Sequence, residues 1–533
     1  MKFKHTRRNL RLLFIIHVLA THGLAAVAYR LRLFRPYIWV VQLFSAEYQP
    51  KELGVQIRLA LERLGPSFIK FGQMMSTRVD VLPIDVALEL KKLQDNVPPE
   101  PFSVVSTLLA KAYKRKAIGE DGVFAQFDEV PVAAASIAQV HFATLHNGRE
   151  VAVKVRRPHI DRMIEADLSI LRLLASLFDR YFPEYERLKA PQVVEEFAVT
   201  ILGELNLRSE AAHASRFTDQ LVGIEGVEVP EVFWDYTNKD VLVTERFYGI
   251  SIDEKEQLIA AGHDLVALCS KVQKMFFHMV FIDGYFHADL HPGNIFVSDT
   301  GKILLVDFGI VGRLELQSRV YLADMLLAFL QQDYKRAAEV HVEAGYVPYH
   351  TDVSAFEDAL REIAVPIFNR PLKDISIAEL LFYLFAVTER FQMETRPELL
   401  LLQKSMVVIE GVTRELAPDI NIWELSKPLV SKWAAENLGP KGKALRLYSE
   451  GKHQLYAWMK LPEEINQHFE QLHQKFPQSS AGLTLPDLLA IAALTSGGII
   501  AGMFWQQPWL SPNLLIAYGL LSFGVWLQWV YRS

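Results

Sequence analysis

Cysteine is almost missing from this chain: Cys269 is the single one in 533 residues. One thiol can form neither an intrachain disulfide nor a thiolate cluster, so any metal chemistry must use oxygen or histidine. An excess of positive charge is missing too. The 56 Lys and Arg are outnumbered by 62 Asp and Glu, which removes the electrostatic footprint of a nucleic-acid binder. Glycine is absent where a phosphate-covering loop would want it, with none between Gly122 and Gly148. What the chain has in quantity is apolar mass. Its slightly positive mean hydropathy suggests that part of it lies in lipid, and its length suffices for two or three domains.

The stretch Phe286-His-Ala-Asp-Leu-His-Pro-Gly-Asn294, followed by Leu305-Val-Asp-Phe-Gly309, organises the rest. An Asp five positions before an Asn, then a second Asp leading Phe-Gly, is the set that phosphoryl transfer needs. One Asp takes or orients a nucleophile's proton, while hard oxygens hold Mg²⁺ on the phosphates of ATP. Asp289 reads as the base, and Asn294 with Asp307 as the metal ligands. The apolar runs at 295–297 and 303–306 flank a turn at Asp299-Thr-Gly301, which places both loops at the ends of one hairpin. His291, beside Pro-Gly, reads as a brace for the backbone.

Taken from the N-terminus, Lys2, Lys4, Arg7, Arg8 and Arg11 precede the apolar Leu12 to Tyr29. A signal peptide fits this pattern, but Arg30, Arg32 and Arg35 oppose export. A basic amphipathic helix on an anionic membrane face fits better. Leu64-Gly-Pro-Ser-Phe-Ile-Lys-Phe-Gly-Gln73 starts a helix on which Lys70 and Gln73 share a face. A linker follows at Asn96 to Pro99.

From Phe124 the period changes to that of strands. Pro131-Val132-Ala133-Ala134-Ala135-Ser136-Ile137-Ala138-Gln139 leads into a strand, an Asn147-Gly148 turn and a second strand, Glu150 to Val155. Alternation puts Val151, Val153 and Val155 on one side and Lys154 on the other, where its amine suits nucleotide phosphates. Three alanines and a serine replace the usual glycines of the cover and make it stiffer. One helix is expected from Val193 through Glu210. At about 100° per residue, Glu204 and Glu210 point roughly 120° apart, so they cannot serve one partner equally. Lys154 for one and Lys70 for the other would suit that geometry, and a local Glu204–Arg208 pair with an exposed Glu210 is the alternative. The strand Val241 to Glu245 stands where a hinge would offer backbone groups to adenine.

After Gly309 the chain passes quickly into a helix at Gln317, with no Ala-Pro-Glu and no room for a long activation segment. Residues 315 to about 470 are helical by period. Leu485–Trp505 and Leu514–Tyr531 are apolar enough to form a transmembrane pair. Lys475 before it and Arg532 after it place both ends on the cytoplasmic side.

By these marks the chain resembles the UbiB family of atypical protein-kinase-like proteins. The most specific are Lys70-Phe-Gly-Gln73, matching the family's Lys-x-Gly-Gln, and the alanine-rich loop at 133–136. The resemblance implies that Lys70 faces Glu204, that Lys154 pairs with Glu210, and that the extension carrying Lys70 folds over the site where a protein substrate would dock. The family's Glu-x-Asp reads Glu204-Leu205-Asn206 here, which removes a charge. Slow ATP hydrolysis coupled to quinone intermediates is the implied activity. The expected class is α+β, a two-lobed atypical protein-kinase-like fold with a helical extension and a transmembrane hairpin. Its boundaries are a membrane-associating segment at 1–45, the extension at 46–123, an N-lobe at 124–250, a C-lobe at 251–480 and the anchor at 481–533. The implied setting is a bacterial inner membrane with the catalytic part in the cytoplasm. Partners are membrane lipid, polyprenyl quinone precursors, other ubiquinone-biosynthesis proteins and a second copy as homodimer. A nucleotide-binding scaffold without chemistry and a small-molecule phosphotransferase stand as alternatives.

Overall fold

The computed structural model describes, apart from a few scattered positions, residues 11–22, 52–76, 82–93, 98–182, 189–368 and 390–438. Two units divide the chain, 1–443 and 444–533; the expected transmembrane pair belongs to the second and lies outside the described residues.

Among the described residues from 52 to the first strand come the helices α1 (Leu53–Leu64), α2 (Pro66–Met75), α3 (Ile84–Leu90) and α4 (Phe102–Tyr113). Pro66 at the first position of α2 supplies the fixed φ that a helix start favours. Gly72 explains why this packing needs a glycine. A Cβ there would meet Leu61 Cδ1 at 2.6 Å and Leu93 Cδ1 closer still. Gln73 donates to the Leu93 carbonyl at 3.1 Å, so it ties α2 down rather than joining Lys70 in the cleft.

The N-lobe sheet runs β1 (Gln126–Phe127), β3 (Ala138–Thr144), β4 (Glu150–Arg156), β6 (Val241–Glu245), with β2 (Ala133–Ala134) also on β3. Every pairing is antiparallel. Val151, Val153, Val155, Val241 and Val243 pack one face against Val105 and Leu109 of α4. The other face carries a cross-strand row of Ala133, Val140, Lys154 and Leu242.

Between β4 and β6 come α5 (Ile160–Tyr181), α6 (Ala190–Glu204) and α7 (Leu207–Leu221). The single helix expected through Glu210 is therefore two. Asn206 breaks it, taking an extended conformation and accepting the Arg208 N–H as the cap of α7. Asparagine is among the best residues for that duty. The helix expected to lie on a membrane is helical over 11–15 and 17–19, and one of its faces is turned onto the protein. Ile15 and Val18 are buried with Ile160, Ile164 and Leu168, and Arg11 Nε pairs with the buried Asp167 at 2.8 Å. Leu13 and Phe14 stay outside.

In the C-lobe, α8 (Lys255–Ala260) leads to α9 (Leu265–Phe277), continued by a π-turn to Asp283. Leu265–Asp283 is, among the described residues, the one helix long and apolar enough to cross a membrane. Its Leu268, Val272, Met275 and Phe276 sit in the largest core with Ile409, Val430 and Trp433, which is the setting of a core helix. Those last residues come from α13 (Pro397–Leu416) and α14 (Ile422–Leu438), and α10 (Leu316–Leu330), α11 (Tyr334–Glu343) and α12 (Val353–Phe368) lie between the sheets and these two. Burial pushes the Cys269 thiol up to about 11, so the lone cysteine is an inert core residue.

Two stability tests follow. Gly72→Val should cost about 1–3 kcal/mol by overpacking α2 against α1, read by chemical denaturation, with Gly72→Ala milder because alanine favours the helix. His341, fully enclosed in α11, is pushed down to about 4 by burial. The unfolded chain takes up that proton first, so the stability this histidine contributes is present above about pH 6.5 and is lost on acidification. Melting temperature should fall between pH 7 and 5, and less steeply in His341→Gln.

Candidate functional site

Two short antiparallel pairings hold the two loops of the candidate site. β9 (Ile295–Val297) pairs with β10 (Ile303–Leu305), and β8 (Tyr285–His287) pairs with β11 (Val311–Arg313). The loop 288–294 leaves β8 and enters β9, while the loop 306–310 leaves β10 and enters β11. Each is thus clamped at both ends, and Val306 N–H donates to the Asn294 carbonyl between them at 3.1 Å. His287, wholly buried, holds them from behind. Its Nε2 lies 3.3 Å from the Val306 carbonyl and its Nδ1 accepts the Asp289 N–H at 3.1 Å. Burial lowers its pKa, so the neutral ring that this bonding requires is the favoured form. His291 Nδ1 accepts the Gly293 N–H and braces the turn.

Asp307 has φ 60°, in the left-handed region that few residues other than glycine adopt. Its own Oδ1 accepts the Gly309 N–H at 3.2 Å, the local bond that makes Asp tolerable there. Its Oδ2 lies 3.1 Å from Lys154 Nζ, and the same ammonium donates to Glu210 at 2.8 and 3.0 Å. One cation thus serves two carboxylates. Burial works against the charges of all three groups, but the two carboxylates raise Lys154 above its usual range. Burial likewise pushes Asp307 up, and Lys154, with Lys70 and His287 adding less, brings it well below the usual carboxylate range. Glu210 goes the other way, to about 7, because burial and the Asp307 charge outweigh Lys154.

Lys70 Nζ is 3.8 Å from Glu204, and its charge also acts on Asp289 and Asp307. The structure therefore brings Lys70, Lys154, Glu204, Glu210, Asp289, Asn294 and Asp307 to one region from four separate parts of the chain.

The alanine-rich segment forms a tight hairpin. Ala133 pairs with Val140 and Ala134 with Gln139, and Ala135 N–H closes the turn on the Ala138 carbonyl at 2.9 Å. Pro131 and Val132 enter it, with Val132 exposed; Ser136 and Ile137 are buried at its tip. Strand alternation turns Gln139 away from the Lys154 face. Its side chain is buried and accepts the Glu100 N–H at 2.8 Å, so it is a clasp on the extension and not a nucleotide contact. Arg157 makes the clasp firmer, donating to the carbonyls of Ala135 and Pro98 at 2.8 and 2.9 Å. At the hinge, the Glu245 N–H is committed to the Glu231 carbonyl at 2.9 Å, so that atom is not free for adenine.

Among the described residues no group of three or more His, Cys, Asp and Glu forms a metal cluster. Magnesium does not need one, since it keeps waters and phosphate oxygens and takes one or two protein ligands. Asn294 and Asp307 fit that sparse set. The Asn294 amide donates to the Asp289 carbonyl at 2.9 Å, which leaves its side-chain oxygen as the atom for a cation.

Sequence reasoning missed Lys404, whose Nζ is 2.7 Å from Asp289 Oδ1. It lies 115 residues away on α13. The signal that could have found it is the polar Gln403-Lys404-Ser405 interrupting an otherwise apolar run, Leu399 to Ile409.

Residues 92–341 match the ABC1 atypical kinase-like domain, and residues 360–421 match the UbiB helical domain. A protein of Pseudomonas putida named probable protein kinase UbiB is 40% identical over 510 residues, 93% of each chain. Proteins of the same name from Marinobacter nauticus and Aeromonas salmonicida are 43% and 45% identical, each over 79% of this chain and covering 76% and 77% of their own lengths. Kinase-like lobes, the alanine-rich hairpin, Lys70 at the cleft and a matching helical domain beyond the lobes all agree, and the chain belongs to the UbiB family of atypical kinase-like proteins.

Proposed function

We propose that the chain is a membrane-bound atypical kinase or ATPase that uses Mg-ATP to support ubiquinone biosynthesis, by regulating biosynthetic enzymes or by making polyprenyl quinone intermediates accessible. The observation that carries the catalytic part of this reading is the shared Lys154 ammonium between Glu210 and Asp307, beside Asp289 and Asn294. Lys154 is held protonated and aimed from the sheet face that the Ala133 hairpin covers, which suits it to orient phosphate oxygens. Bound magnesium supplies charge neutralisation of the phosphates at Asn294 and Asp307. Asp289 accepts the proton of an attacking hydroxyl or water as its oxygen bonds to the γ-phosphorus and the bond to the β-phosphate oxygen breaks, releasing ADP. Family membership and the names of the relatives support the ubiquinone part.

The extension favours a small or lipid-borne acceptor over a docked protein. Lys70 stands at the cleft with its charge on both loop carboxylates, and α2 is packed too closely at Gly72 to be an ornament of the surface.

The test is phosphate release from Mg-ATP by the full chain, with and without bilayers and a phenolic quinone-precursor mimic. Stimulated turnover is expected, and Asp307→Asn should reduce it by about a hundredfold or more, since it removes the carboxylate charge that serves both magnesium and Lys154. ATP binding without hydrolysis under every condition would sink the enzymatic reading and leave a nucleotide-binding scaffold.

A further inference from the structure

Asp289 is braced twice over through its backbone. Its N–H donates to His287 Nδ1, and its carbonyl accepts from Asn294 Nδ2 and from the His291 N–H, both at 2.9 Å. None of these bonds fixes the carboxylate. That is done by Lys404, 2.7 Å from Oδ1. The lysine comes from α13, outside residues 92–341, which match the kinase-like domain, and inside residues 360–421, which match the helical domain.

The helix that presents Lys404 is itself pinned to the catalytic loop and the core. Next to it, the buried Ser405 hydroxyl lies 3.4 Å from the His287 carbonyl and 3.0 Å from that of Leu401. About two turns further on, Thr413 Oγ1 accepts from Gln273 of α9 at 3.4 Å. At its end, Lys255 of α8 donates to the Glu415 carbonyl at 2.8 Å. Ile409, Val412 and Leu416 are buried in the same core as α9. A lysine on so fixed a stem holds its partner in one orientation; on a loose stem it would follow the carboxylate about.

We propose that Lys404 is a positioning residue for the phosphoryl-transfer reaction, by which the helical domain completes an active site that the kinase-like lobes leave unfinished. This rests on the reading of Asp289 as the base. With Oδ1 engaged by the ammonium, Oδ2 is the oxygen presented to the nucleophile. Lys404 transfers no proton itself. It selects which carboxylate oxygen does so and keeps that oxygen in line, and orientation of this kind is worth orders of magnitude in rate.

The experiment compares the full chain with Lys404→Met, Lys404→Arg, Asp289→Asn and the double variant Lys404→Met with Asp289→Asn. Three quantities are read: steady-state phosphate release, affinity for a fluorescent ATP analogue, and melting temperature. Lys404→Met should lower kcat about tenfold or more while nucleotide affinity and KM for ATP stay within about twofold. Lys404→Arg should restore part of the rate, and the double variant should be no slower than Asp289→Asn alone. An unchanged kcat in Lys404→Met, a parallel loss of nucleotide affinity, or multiplicative losses in the double variant would each overturn the proposal. If the unmodified chain releases no phosphate, the enzymatic reading is what fails. The pairing is then judged on melting temperature: losses smaller in the double variant than the sum of the singles keep it, and additive losses overturn it.

Discussion

A single ammonium group between two carboxylates is the constraint from which the rest of the site follows. Lys154 reaches Glu210 and Asp307 at once, and a carboxylate as buried as that of Glu210 is tolerable only if it is paired and held. The β4 strand sets the lysine, α7 sets the glutamate, and a left-handed backbone stabilised by its own Asx turn sets the aspartate. Displacing the lysine leaves two neighbouring carboxylates without their shared cation. The valine-rich face of the sheet against α4, and the close fit of α7 in the C-lobe core, are what keep the three in register. Phosphate oxygens and a divalent cation entering this cleft would meet a charge triad already assembled, so they compete for its members and do not have to gather them.

Around that triad, the residues that finish the site come from outside the two lobes. Lys70 arrives from the extension, and the alanine-rich hairpin is held by Arg157 and Gln139 to residues 98–100. Lys404 arrives from the helical domain. The stiffness of the hairpin is therefore a property of more than its alanines. A cover whose carbonyl at Ala135 is tied through a guanidinium to Pro98 is coupled to the position of the extension, and motion in one is resisted by the other.

Local pattern made much of this legible. Alternation along Glu150 to Val155 told which face Lys154 occupies, the Asn147-Gly148 turn told how its strand is paired, and the turn at Asp299-Thr-Gly301 told that Asn294 and Asp307 flank a hairpin. Where the sequence misled, a residue's local preference decided the matter against periodicity. Asn206 interrupts an apolar helical pattern because capping a new helix is what asparagine does well. Gln139 is next to the alanines in sequence yet turns away from the Lys154 face, because a one-residue offset in a strand reverses the face. Lys404 was out of reach for a different reason: a contact across 115 residues has no local signature, and helical period alone cannot say which polar residue on an apolar helix has a buried partner.

The distance along the chain between Lys70 and Lys404 also sets an order of events during synthesis. Chains emerge from the N-terminus, and domains fold as they become available. The extension, the sheet and both acidic loops are all out before α13 exists. Until then Asp289 has its backbone bonds and the charge of Lys70, but not the ammonium that grips its carboxylate, so a nascent chain carries a nucleotide cleft with an unpositioned base. The Asp289 carboxylate thus acquires its lysine partner only when the helical domain has been made.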